Sequence, residues 1–234
     1  MALSGETIDY GPCAFIDAYD PAAVFSSIDH HGRYAFGQQP GIASWNLARF
    51  AETLLPILHP DPETALTRAN EALASFSELF RRHWLATMRA KLGLFTAEPE
   101  DALLAEELLR WMHKTRADYT HTFRNLRPHT SAESASPADA SFTAWHRRWT
   151  ERLARQPHSV TEVAGVMNAN NPAVIPRNHE VEAALTAATT ANDFAPLERL
   201  LAALASPYHE AGQPGGLLNP PPPGTPVCRT FCGT

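Results

Sequence analysis

Asp9 is the residue of this chain whose type and surroundings point most directly to chemistry. It closes a short run at residues 3–9 and is followed by Gly11 and Pro12. Glycine frees the backbone and proline stops a regular element, so we predict a short strand that ends at Asp9. A carboxylate at that point suits Mg²⁺, which takes oxygen ligands and commonly shares them with phosphate. Turn chemistry accounts for most Asp-x-Gly triplets, so other residues must decide whether a metal binds here.

The chain has three thiols, on Cys13, Cys228 and Cys232, which are too few for a disulfide scaffold in 234 residues. Cys228 and Cys232 form a C-x3-C pair, but no Cys/His pair with metal-ligand spacing accompanies them. We therefore expect reduced thiols rather than a zinc site.

Residues 13–43 lack a sustained periodicity and form, by prediction, an ordered but irregular segment of the kind that often carries functional contacts. Its polar candidates are Asp17, Asp20, Asp29, His30, His31 and Arg33. The run Asp29-His30-His31 permits two interpretations. One is a capped turn with solvated imidazoles. The other is that Arg33 or a neighbouring carboxylate orders the segment around a site.

The overall composition is that of a globular protein with one sizeable core or two small ones. Hydrophobic residues make up 44% of the chain, charged residues 19%, and the formal net charge is −6. The negative charge argues against nucleic acid or an anionic membrane as a partner. No apolar run approaches the roughly 18 residues of a membrane span, and no secretion signal is recognisable, so we expect a cytoplasmic location.

Apolar residues at helical spacing predict a mainly α-helical body. We expect a helix capped by Ser44, a long helix at residues 62–92 with Leu66 and Phe80 among its buried residues, and Gly93 as its end. Further helices follow Glu98, Asn178 and Asp193, whereas residues 167–178 should form a turn and residues 129–141 a flexible connection.

A helix near residues 142–155 should have two distinct faces. Its predicted inward residues are Phe142, Trp145, Trp149 and Leu153. Its predicted outward residues are Arg147, Arg148, Arg152 and Arg155. The arginine face is either an ordinary solvated surface or a site for an acidic partner or phosphate. From Ser206 onward the chain is rich in Pro and Gly, so we expect an extended tail with a polyproline stretch at residues 220–223.

Several stretches together resemble the selenoprotein O (SelO) family of kinase-like protein adenylyltransferases. The resemblance runs in order and without gaps from residue 1 to residue 234. The residues that carry it are Asp9-Tyr10-Gly11-Pro12, Phe15-Ile16-Asp17-Ala18-Tyr19-Asp20-Pro21, Asp29-His30-His31-Gly32-Arg33-Tyr34-Ala35-Phe36, Gln39-Pro40, Trp45-Asn46-Leu47-Ala48-Arg49, Asn170-Asn171-Pro172-Ala173-Val174-Ile175-Pro176-Arg177-Asn178-His179 and Arg229-Thr230-Phe231-Cys232-Gly233-Thr234.

The resemblance implies a kinase-like C-lobe with extra C-terminal helices, a short β segment near the N-terminus and an extended Pro-rich tail. It divides the chain into a metal-binding, activation-type segment (1–43), a helical body (44–205) and a tail (206–234). The family activity is transfer of AMP from ATP, with Mg²⁺ or Mn²⁺, to Ser, Thr or Tyr hydroxyls of proteins. In that scheme Asp9 binds the metal that bridges the phosphates of ATP.

The same resemblance implies that the proton acceptor, an Asp-Asn pair and the nucleotide-binding N-lobe lie upstream of Met1. The chain would then be the C-terminal half of the enzyme and inactive alone. The alternative is a non-catalytic helical interaction module, or a gene remnant, that docks with a separate N-terminal half. Upstream DNA that encodes Asn-Thr-Asp-Asn would separate the two. The resemblance also suggests a redox bridge between Cys13 and Cys232.

Overall fold

The computed structural model describes residues 14–126, 139–222, 225 and 230. Within these ranges the protein is mainly helical, as predicted, and β structure is limited to two isolated bridges, Ala18–Asp118 and Ser26–Thr230. The strand predicted at residues 3–9 lies outside the described ranges. No helix in the part of the chain that the structure describes has the length and apolar character that a membrane span requires.

The chain divides into two compact units. The first contains Pro21–Trp84 and Thr230, and the second contains residues 14–20, 85–126, 139–222 and 225 of the described chain. The predicted boundaries at residues 43 and 205 remain a prediction.

The first unit is built on a helical hairpin. A 3-10 helix, Phe36–Gln38, leads into α1, Gln39–Leu58, which contacts α2, Pro62–Ala74. The Ser44 cap is wrong: the N-cap of α1 is Gln38, six residues earlier, because Pro40 fits the first turn, where no amide donor is needed.

The long helix predicted at residues 62–92 is in fact two helices, α2 and α3, Phe76–Lys91. The break falls at Ser75, whose hydroxyl donates to the Ala72 carbonyl at 2.7 Å. Serine side chains compete in this way with the helical hydrogen-bond ladder. Helix α3 ends at Lys91, two residues before Gly93, whose φ of 71° only glycine adopts without strain.

The predicted buried stripe of these helices is also partly wrong. Leu66 is 52% exposed and Phe80 39% exposed. The buried residues of α2 are Ala65 and Ala69, and Ala69 belongs to the predicted stripe, so that position is confirmed. Met88, at the other end of the stripe, is buried as predicted.

The second unit contains the remaining helices. They are α4 Asp101–Thr115, α5 Tyr119–Asn125, α6 Ala140–Ala154, α7 Val160–Asn170, α8 Asn178–Ala191, α9 Ala195–Leu204 and α10 Gly215–Leu218. Helix α4 packs against α6, and α8 against α9. The inward face predicted for α6 is confirmed, since all four apolar residues are buried. Trp145 and Trp149 each donate their indole N–H to a backbone carbonyl, Leu104 at 2.8 Å and Leu92 at 2.9 Å.

Three other local predictions need correction. Helix α7 continues to Asn170, so the turn covers only residues 171–177; Pro172 ends the helix because it disfavours helical geometry at Asn171. The described part of the tail holds turns and α10 rather than a wholly extended chain. The N-cap of α9 is Phe194, although the Asp193 carboxylate still accepts the Ala195 amide at 3.0 Å.

Arg152 is the main exception to the predicted outward arginine face. Its side chain is 1% exposed, and Nε donates to the buried Asp101 carboxylate at 2.8 Å. The other three arginines of α6 are exposed or partly exposed and pair with glutamates of this chain. Because all four have carboxylate partners already, the structure favours a self-paired face over a phosphate site.

Candidate functional site

The residues predicted to act directly, Asp9, Cys13 and Cys232, lie outside the described residues, as does Cys228. The described stretch closest to Asp9 in sequence is residues 14–20, which follow the Asp9-Tyr10-Gly11-Pro12 motif. This stretch and the side chains that hold it are therefore the described part of the candidate site.

Arg177 is the centre of that arrangement. Its side chain is 1% exposed and lies between two carboxylates, those of Asp17 and Asp118. Nη1 donates to Asp17 Oδ1 and, at 2.8 Å, to Asp118 Oδ2, while Nη2 donates to Asp118 Oδ1 at 3.2 Å. Two parallel bonds between a guanidinium and a carboxylate fix direction as well as distance. We call Asp17, Asp118 and Arg177 the anchor.

Local structure explains why these three side chains meet. Helix α4 ends at Arg116, which adopts a left-handed φ of 55°, and the chain turns there into α5. Asp118 is the N-cap of α5 and accepts the His121 amide at 2.7 Å, so its carboxylate is held at a helix start. Arg177 follows Pro176 and is the N-cap residue of α8. Both side chains thus emerge from fixed helix termini.

The backbone of residues 14–20 is attached at the same place. The Tyr19 amide donates to the Ala117 carbonyl at 2.9 Å, and the Tyr119 amide donates to the Asp17 carbonyl at 2.8 Å. These bonds form the isolated antiparallel bridge between Ala18 and Asp118. The rings of Tyr19 and Tyr119 stack with centroids 5.9 Å apart. The segment is therefore held by main chain, charge and ring contacts together.

The electrostatics of the anchor are set by burial and by the opposite charges of its members. Burial raises the pKa of Asp17, and the hydrogen bond and charge of Arg177 offset only part of that rise. Burial works to lower the pKa of Arg177, but the hydrogen bonds and charges of Asp118 and Asp17 outweigh it and raise that pKa. Burial, with a smaller contribution from Tyr19, raises the pKa of Tyr119 to about 12. Because arginine stays protonated at neutral pH, Arg177 does not serve as a general acid or base here.

No group of three or more His, Cys, Asp or Glu side chains suited to a metal occurs among residues 14–126, 139–222, 225 and 230. The anchor does not form such a group either, because it contains only two carboxylates and both are paired with Arg177. The predicted Mg²⁺ ligand remains Asp9.

The Asp29-His30-His31 run forms the capped turn of the first interpretation. The Asp29 carboxylate accepts the backbone amides of Arg33 at 2.9 Å and Tyr34 at 2.8 Å. The Tyr34 amide makes the largest contribution to lowering the pKa of Asp29. Both imidazoles are exposed, and the Arg33 guanidinium lies 4.5 Å from the centre of the Trp45 ring.

The Asp17–Arg177 ion pair joins residues 160 positions apart, and these belong to two of the stretches on which the resemblance rests. A model of the family described as "Protein adenylyltransferase SelO" matches residues 1–205. The chain belongs to the SelO family. In this chain, the stretch Phe15–Pro21 and the stretch Asn170–His179 are therefore joined by a direct contact.

Curated proteins named "Protein nucleotidyltransferase YdiU" are similar over all 234 residues. The protein from Bacillus cytotoxicus is 53% identical to this chain, and those from Syntrophotalea carbinolica and Alkaliphilus metalliredigens are each 52% identical. Each alignment covers 100% of this chain and 48% of the relative. The chain thus spans about half the length of the curated relatives it matches.

Sequence reasoning named Asp17 only as one polar candidate, quoted Arg177 only within a motif and missed Asp118. One signal was present: Arg177 follows the apolar run Ala173-Val174-Ile175-Pro176. An arginine in such surroundings is expected to be buried with a carboxylate partner. The sequence gives no means of choosing which carboxylate.

Proposed function

We propose that this chain is the C-terminal portion of a protein nucleotidyltransferase that transfers AMP from ATP to Ser, Thr or Tyr hydroxyls of proteins. The hydroxyl oxygen would attack the α-phosphorus, the bond to the bridging oxygen would break, and pyrophosphate would leave. The hydroxyl proton would pass to an acceptor expected upstream of Met1. The observation that carries this proposal is the family match over residues 1–205, with the Asp9 motif inside it.

Asp9 is the residue we propose as a ligand for Mg²⁺ or Mn²⁺. Its carboxylate is a hard oxygen donor of the kind these ions prefer, and the ATP phosphates would complete much of the coordination. The bound ion would neutralise charge on the phosphates, which is the main requirement of phosphoryl and nucleotidyl transfer. This chain's own part is to hold the Asp9 carboxylate in place.

We expect the 234-residue chain by itself to bind Mg·ATP weakly or not at all. A single predicted metal ligand leaves the nucleotide unpositioned, and positioning supplies roughly 7–11 kcal/mol of barrier lowering. Isothermal titration with Mg·ATP measures this directly. A micromolar dissociation constant would contradict the expectation.

A second candidate function is a non-catalytic interaction module, and one observation favours it. Within Pro21–Trp84 the buried residues are only Ala35, Ala65 and Ala69. Large apolar side chains remain exposed there, including Ile28 (60%), Trp45 (47%), Ile57 (80%) and Leu66 (52%). Large apolar side chains left exposed are a common feature of protein–protein contact sites. The partner in this interpretation is the other half of a SelO-type protein.

A chimaera tests the two candidates together. This chain replaces the matching part of the Bacillus cytotoxicus relative, and transfer of AMP from ATP radiolabelled at the α-phosphate to protein is measured. We expect transfer from the chimaera, and a loss of at least about 100-fold with Asp9→Asn. Asp61→Asn is the matched control, because Asp61 caps α2 and asparagine caps equally well.

The outcomes separate the candidates. Transfer by Asp9→Asn at the rate of the unmodified chimaera would show that Asp9 is not the metal ligand. A stable chimaera with no transfer at all would favour the interaction module. Protein substrates with hydroxyl side chains and a cytoplasmic location are part of the first proposal.

The thiols Cys13 and Cys232 are proposed as a redox pair that would close a loop between the two ends of the chain. Disulfide formation needs a two-electron oxidant; a peroxide would take two electrons from the two thiolates and be reduced to water or an alcohol. Mass spectrometry without reductant, after peroxide treatment, should find a loss of two hydrogens and a peptide linked through both residues. Both thiols free after oxidation would remove this proposal.

A further inference from the structure

We propose that Arg177 is a positioning residue for the nucleotidyl transfer: through Asp17 and Asp118 it fixes the segment that follows Asp9. This inference rests on the proposed function, since it concerns the segment that would carry the metal ligand. Arg177 touches neither nucleotide nor metal in this scheme. Its effect passes through the backbone of residues 14–20.

The attachments converge on the short stretch Asp17–Tyr19. Two ion pairs reach the Arg177 guanidinium, and two backbone hydrogen bonds, 2.8 and 2.9 Å long, join the stretch to Ala117 and Tyr119. Ile16, immediately before it, is 7% exposed. A loop held by charge, main chain and apolar burial together resists displacement more than a loop held by one of them.

Arginine is required at this position for a geometric reason. One guanidinium reaches two carboxylates from different parts of the chain and binds Asp118 with two parallel bonds. A lysine ammonium is a point charge and cannot reproduce that fork. Arg177→Lys therefore keeps the charge and removes the geometry, which makes it the informative substitution.

Chain connectivity links the anchor to the predicted chemistry. Asp17 follows Asp9 by eight residues, so fixing Asp17 fixes the point from which the chain runs back to the metal ligand. Displacements of about 1 Å at a reacting group can cost about 100-fold in rate. If residues 14–20 lose their attachment, the affinity for the metal should therefore fall while the protein is still folded.

The first experiment measures whether the anchor holds the segment, in the 234-residue chain. Hydrogen exchange of the Tyr19 amide is compared in the wild type, in Asp17→Asn and in Glu107→Gln. Glu107 is the matched control: it pairs with Arg148, and its side chain is 24% exposed against 23% for Asp17. We expect exchange at Tyr19 to accelerate at least about 10-fold in Asp17→Asn and to stay unchanged in Glu107→Gln. Wild-type exchange in Asp17→Asn would overturn the proposal.

The second experiment measures positioning, in the chimaera with the Bacillus cytotoxicus relative. For Asp17→Asn and Arg177→Lys we expect the Mg²⁺ concentration for half-maximal transfer to rise about 10-fold, measured below the onset of each variant's thermal melt. A merely structural role would lower the active fraction, and hence kcat, without changing the Mg²⁺ dependence.

The failures are distinguishable. If the unmodified chimaera transfers AMP and both variants keep its Mg²⁺ dependence, the positioning role is refuted and the proposed function stands. If the unmodified chimaera transfers nothing, the proposed function fails and the positioning role fails with it, whatever the exchange experiment shows.

Discussion

Replacement of Arg152 by methionine should destabilise the second unit strongly, although the sequence pattern predicts a solvent-exposed helix face at this position. Arg152 Nε donates to Asp101 Oδ1 at 2.8 Å, and Nη2 donates to the Thr96 carbonyl at 2.7 Å. Nη1 lies 3.0 Å from Glu98 Oε1, within ion-pair distance but outside hydrogen-bond geometry. Methionine keeps the apolar stem and removes every one of these contacts.

The size of the effect follows from burial. Removing one partner of a buried ion pair costs about 3–5 kcal/mol, because the remaining charge stays buried without compensation. The Asp101 side chain is fully buried but retains Arg89 at 2.7 Å, which places the expected cost near the lower end, about 3 kcal/mol. For a protein of this size that corresponds to a fall of roughly 6–12 °C in melting temperature.

Urea unfolding followed by circular dichroism, together with a thermal melt, measures the change. The matched control is Arg155→Met, at the C-cap of the same helix and paired with the same Glu98, but with a side chain 45% exposed. Exposed pairs contribute little, so its melting temperature should stay close to that of the wild type. Equal shifts for the two variants, or no shift for Arg152→Met, would refute the argument from burial.

The acid response provides a second readout of the same cluster. Burial raises the pKa of Asp101, but hydrogen bonds from Arg152, the Glu98 amide and Arg89 outweigh it, so the pKa lies below its usual range. A lowered folded-state pKa gives stability that is present above the unfolded value of about 3.9 and is lost as the pH falls through the folded value. Arg152→Met removes one cause of the lowered Asp101 pKa. As the pH falls below 4, the unfolding free energy of this variant should therefore fall less than that of the wild type.

Two further predictions use pairs of similar residues. Gly93→Ala should lower the unfolding free energy by about 1–3 kcal/mol, because φ is 71° and the new Cβ would lie 2.7 Å from Val163 Cγ1. Gly165 lies in α7, and a Cβ added there would have no atom within 4 Å, so Gly165→Ala should raise the unfolding free energy by about 0.5–1 kcal/mol. Urea titrations measure both changes. The chain has two lysines, Lys91 and Lys114. Burial lowers the pKa of Lys91 to about 8, so NMR of the reductively methylated protein should show one lysine signal titrating near that pH. Lys91→Arg should remove that signal and Lys114→Arg should leave it, whereas a Lys91 signal constant between pH 7 and 9 would contradict the prediction.

The helix predictions that the structure confirms rest on local sequence patterns. Gly93, the start of α8 at Asn178 and the buried tryptophans of α6 follow from residue type and 3.6-residue spacing, which act within one or two turns. The start of α1 and the break at Ser75 were missed because competing local signals of similar strength were present. Pro40 outweighed Ser44 as a start, and one serine hydroxyl interrupted an otherwise continuous apolar pattern.

The sequence by itself determined the family, the mainly helical class and the candidate metal ligand Asp9, because motifs and periodicity are properties of neighbouring residues. Only the tertiary structure decided that Arg152 is buried and that Arg177 joins Asp17 to Asp118 across 160 residues of chain. Spacing along a helix specifies which side is apolar, but the partner of a buried charge is chosen by how distant elements pack. That choice is non-local, and in this protein it selects the residues that hold the segment next to the predicted metal ligand.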